Sequence, residues 1–237
     1  MSFYSAFLDL QGEPCLVVGG GIVALRKVRT LIEAGAKITV VSPSLHTELA
    51  DLRDSQALLH VARTYHVKDL AAKRLVFAAT NDASVNAQVA RDAKQHGIFV
   101  NVSDDPTLCT FLVPAVIRRG EIQVAIGSSG QSPALTRALR EYIEEYLPQE
   151  LGELASYLAN IRKEILSLDR STKMKHESLK NLITADLLRL WQSGHGAAFQ
   201  DTVTRVCMEY GLSVDPLPQH KRSEIENIDR KIGDETL

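Results

Sequence analysis

Three glycines, Gly19-Gly20-Gly21, followed by Ile22-Val23-Ala24, stand between an apolar run that reads as a strand and an amphipathic run that reads as a helix. The pattern Gly-x-Gly-x-x-Ala in that place constrains the fold more than any other feature of the chain. Gly19 permits the tight turn, Gly21 lets a diphosphate approach the backbone, and the small Ala24 lets helix and strand pack closely. Ile22, Val23 and Ala24 open the helix, whose unpaired N–H groups and positive dipole end favour anions.

The flanking sequence repeats the same grammar. PCLVVGG (14–20) has the continuous apolar character of a strand buried on both faces. Ile22, Leu25, Val28, Leu31 and Ile32 recur at helical spacing, and KITVVS (37–42) is the next strand, stopped by Pro43. A polar helix from about Leu45, a weak strand at LLHVA (58–62), a strong one at RLVFAAT (74–80), a helix to about His96 and a strand at IFVNVS (98–103) complete the alternation. Strand and helix alternating at this spacing predict an α/β fold of the Rossmann type, a parallel sheet with helices on both faces. After Pro106 the pattern changes. CTFLVPAVIRR and EIQVAIGSS read as two strands of a hairpin turning at Arg119-Gly120, and Ser132-Pro133 opens a helix. Residues 151–212 are helical in pattern, with Leu187, Leu188, Leu190 and Trp191 as a core stripe, and the charged segment 213–237 reads as a mobile tail.

Composition excludes several classes. With 237 residues, 45% hydrophobic and 24% charged, the chain can bury a core, and its net charge of −2 offers no global field for nucleic acid or an anionic membrane. Cys15, Cys109 and Cys207 are too sparse for a disulfide scaffold or a structural zinc site, and Cys109, at the start of a predicted strand, reads as a small hydrophobe. The seven histidines show no His-x-x-x-His pairing, so no dedicated metal site is expected. The first residues lack the basic start and apolar run of a signal peptide, and no stretch is long and apolar enough for a membrane span, so a cytoplasmic location is expected.

The predicted second strand ends in Val41-Ser42-Pro43 and lacks the acid that usually holds the adenosine ribose. Ser42 can bond a ribose hydroxyl, and no Arg or Lys between Ser42 and Leu52 awaits a 2′-phosphate, which favours NAD over NADP. Thr80, Asn81 and Asp82 fall on the carboxyl edge of the sheet, where such folds bind ligands, although Asn81 and Asp82 serve equally well as a helix cap.

The segments LDLQGEPCLVVGGGIVALRKVRTLIEAGAKITVVSP, VNVSDDP and FLVPAVIRRGEIQVAIGSSGQSPALTRALRE, in this order over residues 1–150, resemble the precorrin-2 dehydrogenase family, which is also the dehydrogenase–ferrochelatase module of siroheme synthase. The resemblance implies a Rossmann domain (1–113), a dimerisation segment (114–150), a small helical domain (151–212) and a homodimer, without the methyltransferase domain of larger siroheme synthases. It implies NAD-dependent oxidation of precorrin-2 to sirohydrochlorin, with Fe²⁺ insertion as a second activity of many members. By motif, Asp104 becomes the general base and Ser128 a residue near the substrate. Residues alone leave Asp104-Asp105-Pro106 readable as a simple turn. Ser128, Ser129, Gly130 and Ser132 form a loop suited to carboxylates, with Arg137 and Arg140 in the following helix and Arg118 and Arg119 in the hairpin as further cations for a substrate with many carboxylates. Two other readings stay open: a dehydrogenase without chelatase activity, and a non-catalytic NAD-sensing module.

Overall fold

The computed structural model describes residues 3–182, 196–209, 211 and 212. The apolar stripe around Trp191, the histidines His195 and His220 and the tail 213–237 lie outside the described residues.

Five parallel strands, β1 (Pro14–Val18), β2 (Lys37–Val41), β3 (Leu59–Val61), β4 (Leu75–Ala78) and β5 (Phe99–Val102), form one sheet in the order β3-β2-β1-β4-β5. Strand β1 pairs with β2 on one side and β4 on the other, which is why every residue from Cys15 to Val18 is apolar and buried. Side chains alternate across the sheet. Cys15 and Val17 pack with Phe77 against Ala24, Leu25, Val28 and Leu31 of α1 (Ile22–Glu33). Leu16 and Val18 pack on the opposite face with Val89, Ala90 and Ala93 of α3 (Ala83–Gln95). The short α2 (Thr47–Asp54) joins β2 to β3 and adds Leu49 to the α1 face. The chain moves outward from β1 to β2 and β3, then returns to the other side of β1 for β4 and β5. The carboxyl ends of β1 and β4 are therefore the switch point at which open α/β sheets bind ligands.

After β5 the structure departs from the sequence reading. A single 3₁₀ turn (Pro106–Leu108) follows the Asp104 loop, and residues 109–114 are not a strand; the hairpin consists only of β6 (Ala115–Arg119) and β7 (Ile122–Ile126). Prolines at 106 and 114 interrupt the ladder donors, and the segment instead lies along the outer edge of β5. There Thr110 N–H donates to Val100 O at 2.8 Å, Thr110 Oγ1 accepts from Val100 N–H at 2.8 Å, and Asn101 Nδ2 donates to Phe111 O at 3.2 Å. Phe111 meets Phe77 edge-to-face at 5.5 Å.

The chain divides into two compact units, Met1–Ala115 with Ile126–Leu139, and Val116–Ala125 with Arg140–Leu237. Helix α4 (Pro133–Tyr146) runs from the first into the second. Within the second, α5 (Leu151–Ser167), α6 (Thr172–Leu182) and α7 (Gly196–Glu209) share a core of Leu154, Ile161, Ile165, Phe199, Val203, Val206 and Cys207. The hairpin turn crosses the start of α5 so closely that a Cβ on Gly152 would lie 2.8 Å from Gly120 Cα.

Candidate active site

The glycine turn is built for an occupant. Gly21 is the N-cap of α1, contributes no side-chain cap, and has nothing within 4 Å of where a Cβ would stand. No acidic residue lies in the first turn of α1. In contrast, α2 is capped by His46, α3 by Asp82 and the 3₁₀ turn after β5 by Asp105. The first N–H groups of α1 are thus left for an external acceptor, beside an open approach to the backbone. Ile22 is 55% exposed at this helix start and offers an apolar surface, whereas Ala24 is fully buried against the sheet.

Gly19 has φ +124°, and a Cβ there would come 2.3 Å from Ala79 O, so the end of β4 closes directly on the turn. Gly20 carries a constraint that sequence reasoning missed. A Cβ on it would lie 1.9 Å from Ser44 O and 2.6 Å from Ser42 Oγ, and Gly20 O accepts from His46 N–H at 2.7 Å. The loop after β2 is docked on the glycine turn through that contact. It leaves Ser42 7% exposed, with its hydroxyl donating to Ser44 O at 2.7 Å, while Pro43 is exposed beside it. No distance in the motif signals this approach; only a glycine at the variable middle position hints at it.

Beyond the end of β4 Thr80 is held by Asn86, and its hydroxyl also accepts from Asp82 N–H at 3.2 Å. Asp82 Oδ1 accepts from Ser84 N–H at 2.8 Å, Ser84 Oγ at 2.6 Å and Val85 N–H at 3.3 Å. The Ser84 hydroxyl first, then the two amides, hold the Asp82 carboxyl below the ordinary carboxylate range. Asp82 is therefore committed to the helix. Asn81 is exposed and makes no hydrogen bond among the described residues.

The acidic pair after β5 divides its labour. Asp105 accepts from Thr107 Oγ1 at 2.6 Å and Thr107 N–H at 2.9 Å, contacts that hold its carboxyl low and make it the turn-former. Asp104 is exposed and makes no hydrogen bond or ion pair among the described residues. Ser103, just before it, ties the loop to the sheet through its N–H to Ala78 O at 3.0 Å, while its Oγ is buried with no partner among the described residues. Cys109 lies under the same loop, its Sγ accepting from Val102 N–H at 3.1 Å, and burial pushes its thiol up. A thiol so placed supports the loop and is not an activated nucleophile.

The Ser/Gly loop reaches the Asp104 loop within the same unit. A Cβ on Gly130 would rest 3.5 Å from Pro106 Cβ. Ser129 (φ +52°) and Gly130 (φ +80°) turn the backbone, Ser132 N–H donates to Ser128 Oγ at 3.1 Å, and Thr136 Oγ1 lies 3.0 Å from the same oxygen. The arginines separate clearly. Arg119 is 6% exposed and bonded to Glu144, Leu147 O and Arg118 O, and Arg140 pairs with Glu144 and Glu141. Arg137 is exposed and has no partner among the described residues. No group of three or more metal-binding side chains converges among the described residues, and none of the described helices is long and apolar enough to cross a membrane.

Residues 6–115 match the family described as "Putative NAD(P)-binding". A solved structure titled "SirC, precorrin-2 dehydrogenase" is similar with a TM-score of 0.68 and 30% identity, covering 77% of this chain and 90% of that one. The siroheme synthase of Thioalkalivibrio sulfidiphilus (strain HL-EbGR7) is 39% identical over 90% of this chain and 43% of its own length. That of Methylobacillus flagellatus is 45% identical over 67% of this chain and 34% of its own length. The chain thus spans less than half of the curated relatives it matches. The open parallel sheet with its uncapped glycine turn is that of the Rossmann class of NAD(P)-binding domains. Within this class, the chain belongs to the precorrin-2 dehydrogenase family.

Proposed function

We propose that this chain oxidises precorrin-2 to sirohydrochlorin with NAD, in the formation of siroheme. The observation that carries the reading is an exposed Asp104, without a partner among the described residues, on a loop bonded to the end of β4, which itself closes on the glycine turn, while the Ser/Gly loop lies against Pro106. The α1 N-terminus, Gly19, Gly21 and exposed Ile22 hold the diphosphate side of NAD, and Thr80 and Asn81 line the β4 side. NAD, when bound, supplies the acceptor for the hydride. Asp104 takes the proton that must leave the macrocycle with that hydride, since its carboxylate is exposed and bonded to nothing among the described residues. The backbone amides of Ser129 and Gly130, the hydroxyls of Ser128 and Ser132 and the exposed guanidinium of Arg137 orient substrate carboxylates. Fe²⁺ is a second substrate for the same cleft, with Asp104 receiving the pyrrole protons that metal binding displaces.

The functional unit is a homodimer. Helix α4 exposes Leu135, Leu139, Tyr142 and Tyr146, spaced four, three and four residues apart and each 41–63% exposed, while Thr136 is its buried residue. Such a stripe is what a partner helix covers. Three free cysteines fit a cytoplasmic location. Mixing the purified chain with precorrin-2 and NAD, and following the tetrapyrrole spectrum, tests the reading; oxidation is expected only with NAD present. A parallel sample with sirohydrochlorin and Fe²⁺ but no NAD separates a bifunctional enzyme from a dehydrogenase alone. Absence of NAD-dependent oxidation would overturn the assignment.

A further inference from the structure

Asn86 is 4% exposed in the second turn of α3, and among the described residues its side-chain amide makes all its hydrogen bonds to one residue. Oδ1 accepts from Thr80 N–H at 3.1 Å and Thr80 Oγ1 at 2.7 Å, and Nδ2 donates to Thr80 O at 3.0 Å. One side chain thus takes both main-chain groups of Thr80 just where β4 ends and the ladder can no longer supply partners. Thr80 follows Ala79, whose carbonyl occupies the space a side chain at Gly19 would need. Joining α3 to the sheet does not require these bonds, because Asp82 caps the helix and Val89, Ala90 and Ala93 pack it on the sheet.

We propose that Asn86 is a positioning residue for the dinucleotide, fixing the Ala79–Thr80 wall against the glycine turn and so setting cofactor affinity without touching the cofactor. The proposal rests on the reading of this crevice as the NAD site. A buried amide left unpaired costs enough to rearrange the segment that carries it. Without Asn86, Thr80 N–H and O lose their partners, and the wall moves to find new ones.

The test measures NAD and sirohydrochlorin affinities separately on the full chain. Asn86→Ala is expected to raise the NAD Kd about tenfold or more, while the sirohydrochlorin Kd, measured without NAD, stays within about twofold of wild type. Asn86→Asp has the same shape, keeps the acceptor at Oδ1 and replaces the Nδ2 donor by an oxygen facing Thr80 O. Its NAD affinity is expected to be weak at neutral pH and to recover as the pH is lowered, because a protonated carboxyl again donates to Thr80 O. Asp82, the neighbouring titratable group on this turn, is held low and stays ionised through that range. Wild type should show no such recovery, and a purely structural role would not produce it at an unchanged unfolding midpoint. Unchanged NAD affinity in folded Asn86→Ala, or equal losses for NAD and sirohydrochlorin, would overturn the proposal. If Asn86→Ala does not fold, a pH-independent NAD affinity of Asn86→Asp overturns it as well. Wild type that fails to bind NAD overturns the dinucleotide site itself and this proposal with it, whereas wild-type binding alongside an unaffected variant overturns this proposal alone.

Discussion

Neighbouring residues of the same type carry opposite duties here, and substitutions expose the difference. Asp105 is bound into its turn and Asp104 is not. Asp104→Ala should therefore abolish oxidation with NAD affinity and melting temperature unchanged, measured by turnover, titration and thermal unfolding; wild-type turnover in that variant would remove the base assignment. The glycines behave in the same divided way. Gly20→Ala would force a methyl into the carbonyl of Ser44 and should cost about 1–3 kcal/mol of stability, read from denaturant unfolding. Gly21→Asp meets open space and supplies a good N-cap, so the melting temperature should hold or rise while NAD binding is lost. An unchanged NAD Kd would mean that the diphosphate lies elsewhere. The motif made the turn at Gly19 and the close packing of Ala24 legible, because the Gly-x-Gly-x-x-Ala spacing itself encodes both. Gly20, Ser103 and Asn86 were not legible, because what constrains them comes from segments distant in sequence or from a helix interior.

At the level of elements, the strand–helix alternation was readable because buried parallel strands are continuously apolar and α1 and α3 have one apolar face each. The run 109–114 misled because its composition is that of a strand, while the prolines at its ends and the preceding 3₁₀ turn leave it only one rung on β5. The caps were half legible: Asp82 was open to either role, and the hydrogen bonds assign it to α3. Its carboxyl is depressed in the folded state, so its support of α3 is complete above the unfolded value near 3.8 and fades as the pH falls through the lower folded value. Asp82→Ala should accordingly lower the melting temperature by the same few degrees throughout the neutral range, with the difference from wild type closing below pH 3.8, as thermal scans at several pH values would show. A gap that widened in acid would contradict the capping role.

For the whole molecule, the exposed stripe of α4 makes the sharpest claim. Leu139→Glu places a charge in its middle and should convert a dimer into a monomer in sedimentation experiments at micromolar concentration, while leaving the helix intact. A monomeric wild type would refute the assembly directly. The start of α4 at Ser132-Pro133 was readable in the sequence, but the exposure of Leu135, Leu139, Tyr142 and Tyr146 is seen only in the folded helix. An open sheet must also guard its flanks, since a strand with bare amides and carbonyls invites another chain to add to it. β5 is such a flank, and Thr110 answers it with its amide and hydroxyl on the two polar groups of Val100. A single threonine thus works as a stopper against fibre-like growth. It lies six residues after Asp104, so the guard of the sheet edge and the proposed base share one short stretch of backbone.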